Sequence, residues 1–191
     1  MNREQALEIL KSLIKNENLI KHHLACEATM KALYKKLTPH NMQNPNEEQN
    51  WGIVGLLHDA DYELSKDTPE KHTIILEEKL KDKIDPKLMY AIKSHNWKFN
   101  DVAPKSRLDW SIFCCDELTG LIIAAALISP GKKLAQLTPD FVMKRFNEPS
   151  FAKGSDRNQI KFCEKELSIP LNEFINLTLT AMQQIAPQLG L

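Results

Sequence analysis

Apolar residues recur along most of this chain at the three- and four-residue spacing of helix faces. Nowhere is there sustained two-residue alternation closed by hairpin turns. Asn2 with Gln5 has the pattern of a capping box and opens a first helix. Leu24, Ala28, Leu33 and Leu37 predict a second helix over 19–37. Thr38 and Pro39 end it, because the residue before a proline is pushed out of the helical region. The polar segment 45–50 reads as a loop, and the mostly apolar stretch 51–61 as a short central helix. Thr68-Pro69, Asp85-Pro86 and Thr138-Pro139 repeat one chemistry: a capping residue, then a proline whose missing N–H would be unpaired anyway. Ser106 predicts the cap of a long helix reaching 128, stopped at Ser129-Pro130-Gly131. Helices over 156–166 and 170–187 complete a set of eight or nine, so the expected fold is a single all-α domain over 1–191. Gly52 and Gly55 each cost the central helix about 1 kcal/mol of propensity, which predicts a neighbouring helix in close approach.

Composition narrows the function. The chain has 191 residues, 42% of them hydrophobic, enough for a core of ordinary size. Its 25 basic residues balance 25 acidic ones, so no basic field points to a nucleic-acid polymer. Cys26, Cys114, Cys115 and Cys163 form no Cys-x-x-Cys pair and read as small buried thiols of a reduced, cytoplasmic protein. The first residues are polar and lack a signal-peptide core. The most apolar run, 118–128, is too short by itself to cross a bilayer, so no membrane partner is expected.

The candidate chemistry begins where the apolar run 52–57 ends in His58 and Asp59. A core does not accept an imidazole and a carboxylate side by side without partners or a metal. Possible partners are dispersed: His22, His23, His72, His95 and Asp116. On the second helix a buried face through Leu19, His22, Ala25 and Cys26 turns His22 inward and makes His23 the weaker candidate. His72 falls in the first turns of a helix opening at Pro69, and His95 near the end of one opening at Pro86. Asp116 is a carboxylate in a strongly apolar helix. Histidine with carboxylate suits Mn, Fe, Co, Ni or Zn, with Mg also possible. Adjacent helix residues point about 100° apart. His58 and Asp59 therefore either meet one ion at a helix end or serve two ions with Asp59 bridging; Asp61 marks the frayed end.

A histidine, then His-Asp, then a distant aspartate resembles the HD superfamily of metal-dependent phosphohydrolases. The matching text is Leu-Ile-Lys-His at 19–22, Gly-Leu-Leu-His-Asp at 55–59 and Asp-Glu-Leu at 116–118. The resemblance implies that His22, His58, Asp59 and Asp116 hold one metal. It also implies that His72 and His95 hold a second, as in binuclear members, with Asp59 bridging. The metal-site core would span about 19–130, with C-terminal helices over about 139–187 packed on it. The segments 116–121 and 151–157 look like those of a small bacterial branch of predicted hydrolases. Where many members read His-Asp-Ile-Gly, this protein reads His58-Asp59-Ala60-Asp61, and it lacks the Gly-Tyr-Pro signature of the cyclic-dinucleotide phosphodiesterases.

The function so implied is hydrolysis of a small phosphorylated metabolite or nucleotide by metal-activated water, with Asp59, His72 and His95 as the catalytic set. Lys98, Lys153 and Arg157 are candidate phosphate contacts, Arg157 by a two-pronged hold; Lys21 beside His22 is another. Trp97 either lines the pocket or packs in the core. The same ligands would serve a di-iron oxygenase of the same superfamily acting on a small organic substrate. A non-catalytic metal-stabilised sensor would use them as well.

Overall fold

The computed structural model describes residues 1–191 and contains helices and turns with no strand. Nine helices have seven or more residues: α1 (Arg3–Leu13), α2 (Glu17–Leu37), α3 (Pro45–Leu57), α5 (Ile74–Leu80), α6 (Pro86–His95), α8 (Arg107–Ile128), α9 (Pro139–Phe146), α10 (Arg157–Glu166) and α11 (Leu171–Gln184). Three more are four-residue turns of helix: α4 (Tyr62–Ser65) and α7 (Trp97–Asn100) between longer helices, and α12 (Ala186–Leu189) after α11.

Local chemistry accounts for most starts. Asn2 and Gln5 form the reciprocal capping box of α1, and Ser106 and Asp109 form that of α8. Asp85 and Thr138 cap α6 and α9, each ahead of a proline in the first turn. The segment 45–50 is not a loop. Asn44 accepts the N–H of Asn46, Pro45 takes the first helical position, and α3 begins there. The same cap-then-proline pattern operates, hidden by a polar first turn. At its other end α3 stops at Leu57, so Asp59 to Asp61 lie in turns instead of helix. Thr68-Pro69 opens only a three-residue 3-10 turn, and the Thr68 hydroxyl does not cap it. His72 therefore sits in extended backbone, and Thr73 (φ 71°) reverses the direction of the backbone into α5.

The core is organised around α2, α3 and α8. Helix α2 packs most extensively on α3, and α8 runs beside both and contacts α6, α10 and α11. The α2–α3 contact is close because Gly55 has no side group. A Cβ there would lie 2.6 Å from the carbonyl carbon and oxygen of Cys26. Helix α8 is long and apolar enough by length and composition to cross a membrane, since it begins already at Arg107. Its most apolar 18-residue window is 61% buried among the other helices, with Ile112, Leu118, Leu121 and Ile122 fully enclosed. Trp97 packs against Trp110 and Phe113, with Phe162 stacked on Trp110 at 5.2 Å. This aromatic cluster packs against the core through Phe113 and fixes α7 against α8 and α10, which carries Lys98 and Phe99 to the rim of a cleft.

Candidate metal centre

Four elements deliver the first polar groups to one place. Helix α2 supplies His22, the end of α3 supplies His58, the turn after it Asp59, and the middle of α8 Asp116. The reversal before α5 supplies His72 and the last residue of α6 supplies His95. Together with Cys26 these six residues form two adjoining groups. In the first, His22, His58, Asp116 and Cys26 have donor atoms all within 4.8 Å of one another. In the second, Asp59, His72 and His95 do the same.

The contacts are tight. His22 Nε2 lies 3.0 Å and His58 Nε2 3.3 Å from the same Asp116 Oδ1. His72 Nε2 and His95 Nε2 each lie 2.9 Å from Asp59 Oδ1 and 3.0 Å from each other. The other oxygen of Asp59 faces His58 Nε2 at 3.8 Å, so this carboxylate stands between the groups with one oxygen toward each. Ligands held about 2.1 Å from one ion and at right angles to each other are about 3.0 Å apart. The spacings here match that edge.

The other ring nitrogens show which atoms are free to bind. His58 Nδ1 donates to the Gly55 carbonyl at 2.9 Å, and His95 Nδ1 donates to the Ile92 carbonyl. His72 Nδ1 donates to Asp61 Oδ1 at 2.7 Å. His22 Nδ1 donates to Thr119 Oγ1 at 3.2 Å, while the Thr119 hydroxyl donates to the Asp116 carbonyl at 2.8 Å. A carbonyl only accepts, so the neutral ring keeps its proton on Nδ1 and turns the Nε2 lone pair inward. This is the outer-contact arrangement that orients histidine ligands. Four lone pairs aimed at carboxylate oxygens, and two of them at each other, repel unless a cation lies between them.

Electrostatics agree. Burial pushes His58 down, but the charges of Asp59 and Asp116 outweigh it and lift it to about 10. Burial is likewise outweighed at His72, where hydrogen bonds to Asp59 and Asp61 lift it to about 10. Asp59 and Asp116 resist the upward push of burial and are held well below the usual carboxylate range, chiefly by the charge of His58. A proton fills each gap when no other cation does, and the donor set fits a divalent ion in its place. Burial and the neighbouring Asp116 charge push Glu117, which faces the same space, up to about 7.

Further residues at the centre were not singled out by their spacing. Asp61 is no frayed helix end. It is fully buried and accepts from His72 Nδ1 and from the N–H groups of Thr73 and Leu76 at 3.2 and 2.9 Å. Its place two residues after Asp59 was the available signal. Cys26 stands one turn after His22, the spacing that puts two residues on one face. His23 is fully buried behind the first group, its ring 5.0 Å from that of His58 and both nitrogens without a partner, and it belongs to neither group.

The second group opens into a cleft of about 240 Å³ lined by Tyr62, Lys66, Asn96, Lys98, Phe99 and Glu117 among others. The first opens separately, past Gly120 and the 152–155 loop. The three cationic residues differ. Lys98 reaches the cleft rim and pairs with Asp156. Lys153 is exposed and lines an outer groove. Arg157 does not offer the expected two-pronged hold: its guanidinium donates to the backbone carbonyls of Phe146, Phe151, Ala152 and Ser155. It straps that loop to α10. Lys21 extends toward Gly190.

No family model, curated protein or solved structure matches this sequence.

Proposed function

We propose that this protein is a metal-dependent phosphohydrolase of the HD type, acting on a small phosphorylated substrate at two metal positions that share Asp59. The observation that carries the reading is the pair of Nε2 atoms of His72 and His95. They lie 3.0 Å apart on one Asp59 oxygen, with their Nδ1 protons already committed. Two such lone pairs call for a cation, and Asp59 extends its other oxygen toward the second donor group. His22, His58 and Asp116 would hold one ion and His72 and His95 the other. Mn, Fe, Co, Ni and Zn suit this donor set. Ions bound there would supply Lewis acidity and would lower the pKa of coordinated water toward neutrality.

The cleft favours an anion over an apolar substrate. Only two of its 13 lining residues are hydrophobic, and Lys66 and Lys98 stand at its rim. In hydrolysis the water oxygen forms a new bond to phosphorus as the ester P–O bond breaks, and the leaving oxygen takes up a proton. Lys66 and Lys98 neutralise charge on the phosphoryl oxygens. Asp61, through His72, and the Gly55 and Ile92 carbonyls, through His58 and His95, keep the rings from turning as charge builds.

The test is metal analysis on protein never exposed to chelator, followed by phosphate release from aryl phosphate mono- and diesters and from nucleotides with added Mn or Co. The expected result is up to two ions per protein molecule and turnover of at least one ester class. Turnover should vanish in Asp59→Asn while the fold, followed by circular dichroism, remains. Metal-loaded protein that hydrolyses no ester, or that consumes oxygen with an organic substrate instead, overturns the reading.

A further inference from the structure

The two donor groups are not chemically alike. The second, Asp59 with His72 and His95, offers only nitrogen and oxygen. The first adds a sulfur. Cys26 Sγ lies 3.8 Å from His22 Nε2 and falls within 4.8 Å of the donors of His58 and Asp116 as well. It is fully buried on the same face of α2 as His22. Ligands at about 2.1 and 2.3 Å from one ion, spread by a tetrahedral or trigonal angle, lie about 3.6–3.8 Å apart. The sulfur–nitrogen separation falls at that span, whereas the nitrogen–oxygen contacts of the same group, at 3.0 and 3.3 Å, correspond to a smaller angle at the ion.

The surroundings of the sulfur also suit a ligand. Thr119 Oγ1 is 3.3 Å from it. That hydroxyl now donates to the Asp116 carbonyl, and a rotation about its C–O bond would turn the proton toward sulfur. It can therefore accept from a thiol or donate to a thiolate. Gly55 brings the α3 backbone against Cys26 itself, so the residue cannot drift from the group without separating the two helices.

We propose that Cys26 is a protein ligand of the first metal position, which makes the centre asymmetric: a thiolate position selective for Zn, Fe, Co or Ni beside a nitrogen–oxygen position that also accepts Mn or Mg. The inference rests on the metal-centre reading above and adds the metal preference of one half of it. Ligation exchanges the S–H bond for a metal–sulfur bond and releases one proton to solvent, with no change of oxidation state. Soft thiolate favours borderline over hard cations, while carboxylate and imidazole discriminate less.

The experiment is an anaerobic cobalt(II) titration of the full-length protein, read by absorption. A sulfur-to-cobalt charge-transfer band in the near ultraviolet should grow with one equivalent and stop. In Cys26→Ser it should be lost, and the preference of the first position for Zn over Mn should fall by at least about tenfold, the low end of what even an outer contact is worth. Cys115→Ser, which removes the neighbouring buried thiol, should keep the band. Should Cys26→Ser fail to fold, zinc X-ray absorption on the unmodified protein decides instead, a sulfur neighbour at about 2.3 Å being expected. Cobalt bound with visible ligand-field bands but no sulfur band, or zinc with nitrogen and oxygen neighbours only, overturns Cys26 ligation and leaves the metal centre standing. No cobalt bound at all overturns both.

Discussion

Gly52 and Gly55 are equivalent by sequence, and the structure makes them opposites. A Cβ built on Gly55 lies 2.6 Å from the carbonyl carbon and oxygen of Cys26 and 2.8 Å from the Glu27 nitrogen, all backbone atoms of α2. Carbon contacts are comfortable at about 3.5–4.0 Å, so α3 would have to retreat by about 1 Å. No rotamer change relieves a clash with backbone. Overpacking of this kind costs about 1–3 kcal/mol, and the upper end applies here. Against it, alanine gains about 1 kcal/mol of helix propensity over glycine. Gly55→Ala should therefore destabilise by about 2 kcal/mol, which for a protein of this size lowers Tm by about 4–8 °C. A Cβ on Gly52 instead meets Lys31 Cε at 2.5 Å, the outer part of a flexible stem. That stem can swing aside at the expense of part of the Lys31–Glu27 ion pair, so Gly52→Ala should leave Tm unchanged or raise it by up to about 3 °C. Thermal melts by circular dichroism, with urea midpoints at constant slope, measure both variants. A Gly55→Ala protein as stable as its parent, or a Gly52→Ala protein as weak as Gly55→Ala, would refute the helix contact as described.

Three other outcomes are expected. Asp61→Asn removes the charged acceptor of His72 Nδ1 and should cost about 2 kcal/mol of stability. It should weaken one metal equivalent by about 10–100-fold while sparing the other, which calorimetric titration resolves; equal weakening of both would deny Asp61 its positioning role. At Glu27, burial pushes the carboxyl up but hydrogen bonds to Arg3 and Lys31 outweigh it, so its folded pKa is depressed. Its contribution is then full above the unfolded value of ~4.3 and lost as pH falls through the folded value. The Tm advantage over Glu27→Gln should be constant near neutrality and disappear in acid, and an advantage that grows on acidification would contradict the assignment. Arg157→Met should free the 148–156 loop, giving faster proteolysis there and a loss of about 2 kcal/mol. If it leaves stability and proteolysis untouched and weakens only phosphate binding, Arg157 is a substrate contact after all.

Much of the fold was legible in the residue order because helix capping and helix faces are local. Asn2 with Gln5, Ser106 with Asp109 and Asp85 with Lys87 close hydrogen bonds within one turn, and each is readable over three or four residues. The six residues of the centre were legible as a combination, since each histidine or aspartate taken alone reads as readily as a surface, capping or ion-paired residue. Their division into two groups was implied only by the resemblance, and the residues read by themselves left open one ion or two. Whether α3 ended at Leu57 or at Asp61 decided that Asp59 lies on a turn between the two groups, and periodicity does not locate a helix end to within one turn. Cys26, Asp61 and Arg157 carried no long-range signal at all. Arg157 was legible as a charge, but that its charge is spent on loop carbonyls depends on where residues 146–155 return. By itself the sequence determined an all-helical protein and the stock of candidate donors. Only the tertiary structure decided which donors meet. That depends on how closely α2 approaches α3 over Gly55, and on Asp116 and His95 arriving from helices far away in sequence. Such distances are set by packing between elements, and short-range spacing holds no record of them.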